Sequence, residues 1–524
     1  MCHKFVHVLY QNTLYDALTL KRRLLLHERI GSVLERHFGV PGGPAAAELA
    51  LHFDRARKPK RALPYYIKAV ENAASKFAHT QGEAYCNRAV ELAMKLPEDE
   101  RDRPLLDILK TLGRILFAMS RLEDAASVSQ QALECAERLG DVDSQIDVLF
   151  NQAEVLFWSK KNDQLERKVE RTLAIAKEHE QGGASATAHL MLGMQRTCYG
   201  YLDESDRFLK QAERESRDAQ NLPVLARTTA WRATHMFHRS DYDRALRKLK
   251  KAEGLAIETH DGFHLLLVGF FQGLALANSG HLADGLQTIE RGFDLAEKNY
   301  DLFWLGRFPN CRGWIHAEAF DHETALELNR EAVVISRETG FLEPEANSRI
   351  NLGIAATQLG EFDLARQSFL DADDLFQRDE WFKWRYRLRL LCAWADLLLK
   401  QGDCNGAREK ASLGLEAAEQ AGARKYCAQS SLLLGRIALT EDKIADAERY
   451  LTAAVDHTKD LQAPVMAWKT YAALGDLHRA THRDDEARDD YGAARQLLLL
   501  MAEQSPEPLR KSILASEEAR TLGA

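Results

Sequence analysis

The chain lacks most of the signatures that mark a catalyst. No G-x-x-x-x-G-K-[ST] stretch occurs, so no loop is available to cradle nucleotide phosphates. His478 and His482 are four apart and His235 and His238 three apart, but neither pair has the glutamate of a zinc-hydrolase helix. Both read as ordinary surface histidines, and no metal is expected. No nucleophile elbow or Ser/His/Asp order stands out. The 78 acidic residues give many close carboxylates on helix faces without marking a pocket. None of the eight cysteines forms a C-x-x-C pair, which argues against a disulfide framework and fits reduced, buried thiols of a cytoplasmic protein. Proline is scarce, at 12 residues, and 45% of the chain is hydrophobic, so disorder is excluded as the main state. A net charge of −8 gives no general attraction to nucleic acid or acidic membranes. The longest apolar run, residues 263–277, contains His264 and Gln272 and is too short to span a bilayer. The first residues, Met1 to Lys4, lead into an amphipathic segment rather than a signal peptide.

What is present is periodic. A small residue recurs at Gly113, Ala153, Gly193, Ala233, Gly273, Gly313, Gly353, Ala395, Gly435 and Gly475. The step between them is constant except from Gly353 to Ala395, where it lengthens by two. A second set follows at a fixed offset from the first, as at Ala245, Ala325 and Ala365. A third follows at a fixed offset from the second, as at Ala252, Ala332 and Ala372. The clearest unit is 346–372, which predicts a helix, a tight turn at Gly360-Glu361 and a second helix. An interior glycine costs a helix about 1 kcal/mol relative to alanine, so Gly353 implies close approach of the partner helix.

These residues resemble the tetratricopeptide repeat (TPR). Its Leu-Gly pair matches Leu192-Gly193, Leu352-Gly353, Leu434-Gly435 and Leu474-Gly475, and its Ala-Phe/Tyr-Ala spacing matches Ala365-Phe369-Ala372 and Ala487-Tyr491-Ala494. The period is longer than the usual one of about 34 residues, which implies longer helices and turns. The resemblance implies an all-α, right-handed superhelical solenoid. Ten repeats are expected over 106–503, irregular helical repeats over 41–105, and a capping helix over 504–524. A breaker at 39–44 and a polar connection at 96–104 mark the boundaries.

Residues 1–40 fall outside the repeat, although Leu24, Leu25, Ile30, Val33 and Leu34 keep the spacing of an apolar helix face there. Phe5-x-His7, Leu9-Tyr10, Leu14-Tyr15 and Arg22-Arg23-x-x-Leu26-His27-x-x-Ile30 resemble the end of the winged-helix module in bacterial signalling ATPases of the STAND class. That resemblance implies the sensor arm of such a protein, beginning inside its linker module. Lys21-Arg22-Arg23 reads as a solvated basic helix edge, with a nucleic-acid contact as the alternative.

Function therefore points to recognition rather than catalysis: a non-catalytic arm with no cofactor, binding a protein, peptide or small ligand in the concave groove. The alternative is the regulatory fragment of a larger enzyme. In TPR arrays the first helix of each repeat lines the groove. Helical spacing then puts positions −6, −3, +1, +4 and +5 from the small residue on that face. This selects Arg227, Arg307, Trp314, Arg389 and Arg436 as partner-binding candidates, with Asp147, Glu154, Trp158, Thr234, His238, Phe270, Asn278, Asn310, Glu318, Asn347, Gln358, Asp396, Lys400, Gln429, Lys469 and Arg479 on the same face. Arg227, Arg307 and Arg389, all at −6, are expected to form one track for an acidic partner, and loss of Arg307 and Trp314 to leave the melting temperature nearly unchanged. The lengthened step falls near Trp381 and Trp384, read as a longer loop packed on its neighbour or as a second docking knob.

Overall fold

The computed structural model describes residues 15–38, 45–74, 78–119, 121–180, 182–378, 380–459, 461 and 463–523. Among these the regular elements are all α-helices, paired as in TPR-type superhelical solenoids. Phe5, His7, Leu9, Tyr10 and Leu14 lie outside the described residues.

One helix and one short turn make a half-repeat, and the array is built from it. Val142–Trp158, Asn162–Glu178, Gly182–Cys198 and Leu202–Asp218 are each 17 residues long. The chain turns between them through a left-handed residue, as at Lys160, Gly200, Ser240, Gly280, Phe320 and Gly360. The turn after Leu222–His238 shows the mechanism. The Ser240 N–H donates to Phe237 O and the Asp241 N–H to Met236 O, which satisfies two carbonyls the helix end would orphan. Asp241 also caps the following helix, its carboxylate accepting from the Arg244 N–H. Asp141, Asp261, Asp301, Asp321 and Asp403 do the same at their own helix starts.

Within a repeat, the first (A) helix meets the second (B) helix at the small residue. A Cβ on Gly193 or Gly435 would lie 2.5 Å from the Leu209 or Leu451 side chain, and one on Gly273 would lie 2.7 Å from Ile289. Gly353 meets Phe369 still more closely. In each case the partner stands at the same offset along the chain. A helices are packed on more sides than B helices. Gly262–Asn278 buries most of its length, whereas Leu282–Lys298 buries only Leu282, Gly285, Ile289, Gly292 and Ala296. The apolar run at 263–277 is thus an inner helix.

The chain divides into two compact units, Met1–Thr172 and Leu173–Ala524. In the first, helix Leu20–Phe38 buries only His27 and Gly31. His27 lies between the Tyr15 hydroxyl and His52, at 2.8 Å from each, and Gly31 accommodates the Phe53 ring. Leu25, Ile30 and Val33, which helical spacing put on an apolar face, are 41–58% exposed. Lys21 and Arg22 are exposed. No helix among the described residues is long and apolar enough to cross a membrane.

The second unit winds back on itself. The Phe382 N–H donates to Cys198 O and Trp384 Nε1 to Thr197 O, both at 3.1 Å. The Lys425 N–H donates to Ser240 Oγ at 3.1 Å, and Pro464 packs on Gly280. Each contact joins the A–B turn of one repeat to the A-helix start of the repeat five places on. The lengthened step serves this closure. It places Phe382, itself left-handed at φ 53°, as the residue before helix Lys383–Lys400 and against the earlier turn. After Pro506, helices Glu507–Ala515 and Glu517–Leu522 follow the last repeat, burying Leu509, Ile513 and Ala519.

Gly353→Leu should destabilise the protein by about 1–3 kcal/mol, because Phe369 occupies the space the new side chain needs. Gly254 lies inside a B helix with nothing within 4 Å of its missing Cβ. Gly254→Ala should therefore stabilise by about 0.5–1 kcal/mol. Urea unfolding followed by circular dichroism compares the two; equal effects would contradict the close helix contact.

Candidate functional site

Closure of the second unit leaves an open-mouthed cavity on its inner side, about 600 Å³ of empty space with the open solvent at its mouth included. Five consecutive A helices supply its wall. Phe237 and His238 end the first, Phe270, Leu274 and Asn278 come from the second, and Asn310, Cys311 and Trp314 from the third. Asn347 and Asn351 come from the fourth, and Trp384, Arg385 and Arg389 from the fifth, while Lys425 and Tyr426 reach in from the repeat beyond. The walls are apolar rings interrupted by amides and cations, and no carboxylate is among the lining side chains.

The polar groups are ordered. Asn347 Nδ2 donates to Asn310 Oδ1 at 2.7 Å, and Asn351 Nδ2 to Asn310 O at 2.9 Å. This turns both amide oxygens towards Arg389, which donates to Asn347 Oδ1 and, at 2.5 Å, to Asn351 Oδ1. Arg385 lies 5.4 Å from the Phe237 ring centre, with the Tyr426 hydroxyl beside its guanidinium. Lys425 Nζ donates to Asn278 Oδ1 at 2.7 Å and lies 5.2 Å from the Trp314 ring centre. The nearby Glu318 carboxylate accepts from Lys469 at 2.7 Å and from Trp314 Nε1 at 3.0 Å.

Burial pushes the Lys425 amine down to about 7. Glu318 opposes this, while Arg389, Lys469 and Arg385 reinforce it. Burial pushes the Glu318 carboxyl up, but Lys469 and Lys425 outweigh it and hold the group below the usual carboxylate range. His235 and His238 are buried on the inner helix rather than on the surface as their spacing suggested. Burial and then Arg385 hold His238 well below its ordinary value, so it is neutral, and its Nε2 has no hydrogen-bond partner. The Cys311 thiol is pushed up to about 12 by burial and is inert. No group of three or more histidine, cysteine, aspartate or glutamate side chains suited to a metal occurs among the described residues.

The residues selected by spacing are distributed unevenly. Trp314, Arg389 and Trp384 line the cavity, as do His238, Phe270, Asn278, Asn310 and Asn347. Arg227 instead pairs with Asp261 at 2.8 Å, and Arg436 is exposed outside the cavity. Trp381 is 5% exposed and packs on Phe382 and Phe303, so the loop reading fits it better than an exposed knob.

Arg307 departs furthest from expectation. Pro309 has no N–H and cannot continue a helix from Leu305. The A helix is therefore split into Leu302–Leu305 and Phe308–Glu318, with Arg307 at the break. Its guanidinium folds inward, donates to Phe303 O at 2.5 Å and lies 2.7 Å from the Glu343 carboxylate. It is 5% exposed. The three arginines thus occupy three environments rather than one track, and Arg307 is part of the packing. Arg385, Lys425 and Tyr426 escaped the spacing rule because they stand at −10 and −9, near the A-helix start. Only the closing turn brings that end inward.

No protein-family model matches the chain. An uncharacterized protein of Rhizobium meliloti (strain 1021) is 30% identical over 137 residues, 26% of this chain; the chain spans 13% of that relative's length. Among solved structures, the Rap protein complexed with Competence and Sporulation Factor aligns with a TM-score of 0.53 at 16% identity. That alignment covers 69% of this chain and 99% of Rap. The apo form of the quorum sensor NprR from B. thuringiensis aligns at 0.46 and 16% identity, over 68% of this chain and 100% of NprR. The Cut9–Hcn1 assembly of the APC/C aligns at 0.46 and 14%, over 97% of each chain. The likeness to Rap is one of fold.

Removing one partner of a buried ion pair strands the other, so Arg307→Ala should cost about 3–5 kcal/mol. Arg436→Ala should change stability by less than about 0.5 kcal/mol. Thermal unfolding of both variants checks this, and a wild-type melt for Arg307→Ala would remove Arg307 from the packing.

Proposed function

We propose that this chain is a non-catalytic recognition module of TPR type, acting as the regulatory arm of a cytoplasmic signalling system. Its partner, a protein, peptide or smaller ligand, is taken up on the inner side of the second unit. The observation that carries this reading is the cavity itself, where Arg385, Arg389 and Lys425 converge with an asparagine ladder and several aromatic side chains on one concave wall. Ordered polar groups set in an apolar pocket are the usual makings of a ligand site. Rap, whose solved complex contains Competence and Sporulation Factor, supports the reading by fold. The groove candidates Trp314 and Arg389 belong to this wall. Arg227, Arg307 and Trp381 act through packing, Trp384 both lines the wall and closes the turn, and Arg436 contributes at most from outside.

A second reading is that the chain regulates a catalytic domain carried by a longer protein, for which a STAND-class ATPase is the candidate. It is favoured by the length of the Rhizobium meliloti relative. The same 137 residues are 26% of this chain and 13% of the relative, which is therefore about twice as long (26/13).

A partner captured by the intact chain and identified by mass spectrometry should bind the Arg389→Ala variant more weakly by about 2 kcal/mol or more in calorimetric titration. Unchanged affinity would move the site off this wall. With no phosphate-cradling loop in its sequence, the chain should not bind Mg-ATP with micromolar affinity, and calorimetric titration showing such binding would overturn the non-catalytic assignment.

A further inference from the structure

The inner cavity carries more positive charge than the protein balances. Arg385, Arg389 and Lys425 line it, and no carboxylate does. The acids that act on its lining residues are already engaged, Glu318 by Lys469 and Trp314 and Glu343 by Arg307 and Tyr386. Arg389 donates only to neutral amides, and Arg385 makes no ion pair among the described residues. Buried charge without a counter-charge is costly, and a bound anion is the simplest relief. His238 Nε2 adds an unpartnered buried polar atom on the same wall.

Size narrows the ligand. The inner face is occupied by the following turn. Thr197 O is taken by Trp384, Asn278 by Lys425 and Glu318 by Lys469. An extended polypeptide laid along the A helices would have to displace these contacts, whereas a compact molecule would not.

We propose that the cavity binds a small organic acid, its acid group held among Arg385, Arg389 and Lys425 and its flat apolar body against Trp314 and Phe270. This rests on the recognition reading and names its ligand chemistry, which a carboxylate or a phosphate monoester can supply. Binding also takes up a proton. The groups facing Lys425 are Glu318 from helix Phe308–Glu318, Arg385, Arg389 and the Cys392 thiol from helix Lys383–Lys400, and Lys469 from helix Pro464–Ala480. Lys425 titrates near 7 in the empty cavity and is mostly neutral at pH 8. An anion beside it raises its pKa, so at pH 8 the ammonium forms as the ligand binds. At pH 6 it is already charged and no proton is taken up. Affinity therefore falls as pH rises above 7.

The test is calorimetric titration of the full chain with 2-naphthoate, 2-naphthyl phosphate and the neutral 2-naphthalenemethanol. Each is run at pH 8 in two buffers of different ionisation enthalpy. One of the anions should bind at a single site at least tenfold tighter than the alcohol, with net proton uptake; which one wins separates carboxylate from phosphate. Lys425→Arg should keep affinity within about threefold but abolish the uptake. Arg385→Gln, with its fold checked by circular dichroism, should weaken the anion at least tenfold. Equal binding of alcohol and anions, or unchanged proton uptake in Lys425→Arg, would overturn the proposal. If a captured protein partner binds in an Arg389-dependent manner while both anions fail, the recognition reading stands and the small-acid inference falls.

Discussion

Contact between paired helices at a position with no side chain is the constraint on which the rest depends. Gly193, Gly273, Gly353 and Gly435 each leave room for a large side chain of the next helix, at Leu209, Ile289, Phe369 and Leu451. That constant offset fixes where the turn must fall. A helix of constant length and a short left-handed turn satisfy it with few orphaned backbone groups. Because both halves of the repeat use the same module, A helices return to the inner wall once in every repeat. The side chains that line the cavity inherit their positions from this count.

Against that regular background, two departures shape the site. The two residues added before helix Lys383–Lys400 let Phe382 and Trp384 reach the turn at Thr197 and Cys198, which helps turn a groove into a cavity. Pro309 splits one A helix and draws Arg307 into the packing with Glu343. One departure brings cations into the cavity; the other withdraws one from it.

Much of the fold was legible in the sequence because the signals are local. Gly353 announced its close contact, and the fixed offsets of the small residues set where each helix pair falls. Within the site, the A-helix spacing found His238, Phe270, Asn278, Asn310, Trp314, Asn347 and Arg389, since helical periodicity alone decides which way they point. It did not find Arg385, Lys425 or Tyr426. Their inward position depends on contact between repeats five apart, and no local pattern encodes that distance. The misplacement of Arg307 had a visible cause, since Pro309 stands in its helix and proline breaks a helix interior. Leu25, Ile30 and Val33 show the opposite limit: a helical stripe predicts a shared face but not what covers it.

The bonds between turns change how the second unit holds together. An open solenoid behaves as a chain of links, each repeat coupled to its two neighbours, so it can fray from either end or part in the middle. Here the A–B turns at Thr197, Ser240 and Gly280 are also tied to residues far later in sequence, Trp384, Lys425 and Pro464. The coupling is that of a rolled lattice, in which a repeat has neighbours above and below as well as beside it. Local opening at one repeat must break contacts in two directions. Unfolding should accordingly be more cooperative than repeat number alone implies, and folding slower, because the seam closes only after five repeats have formed.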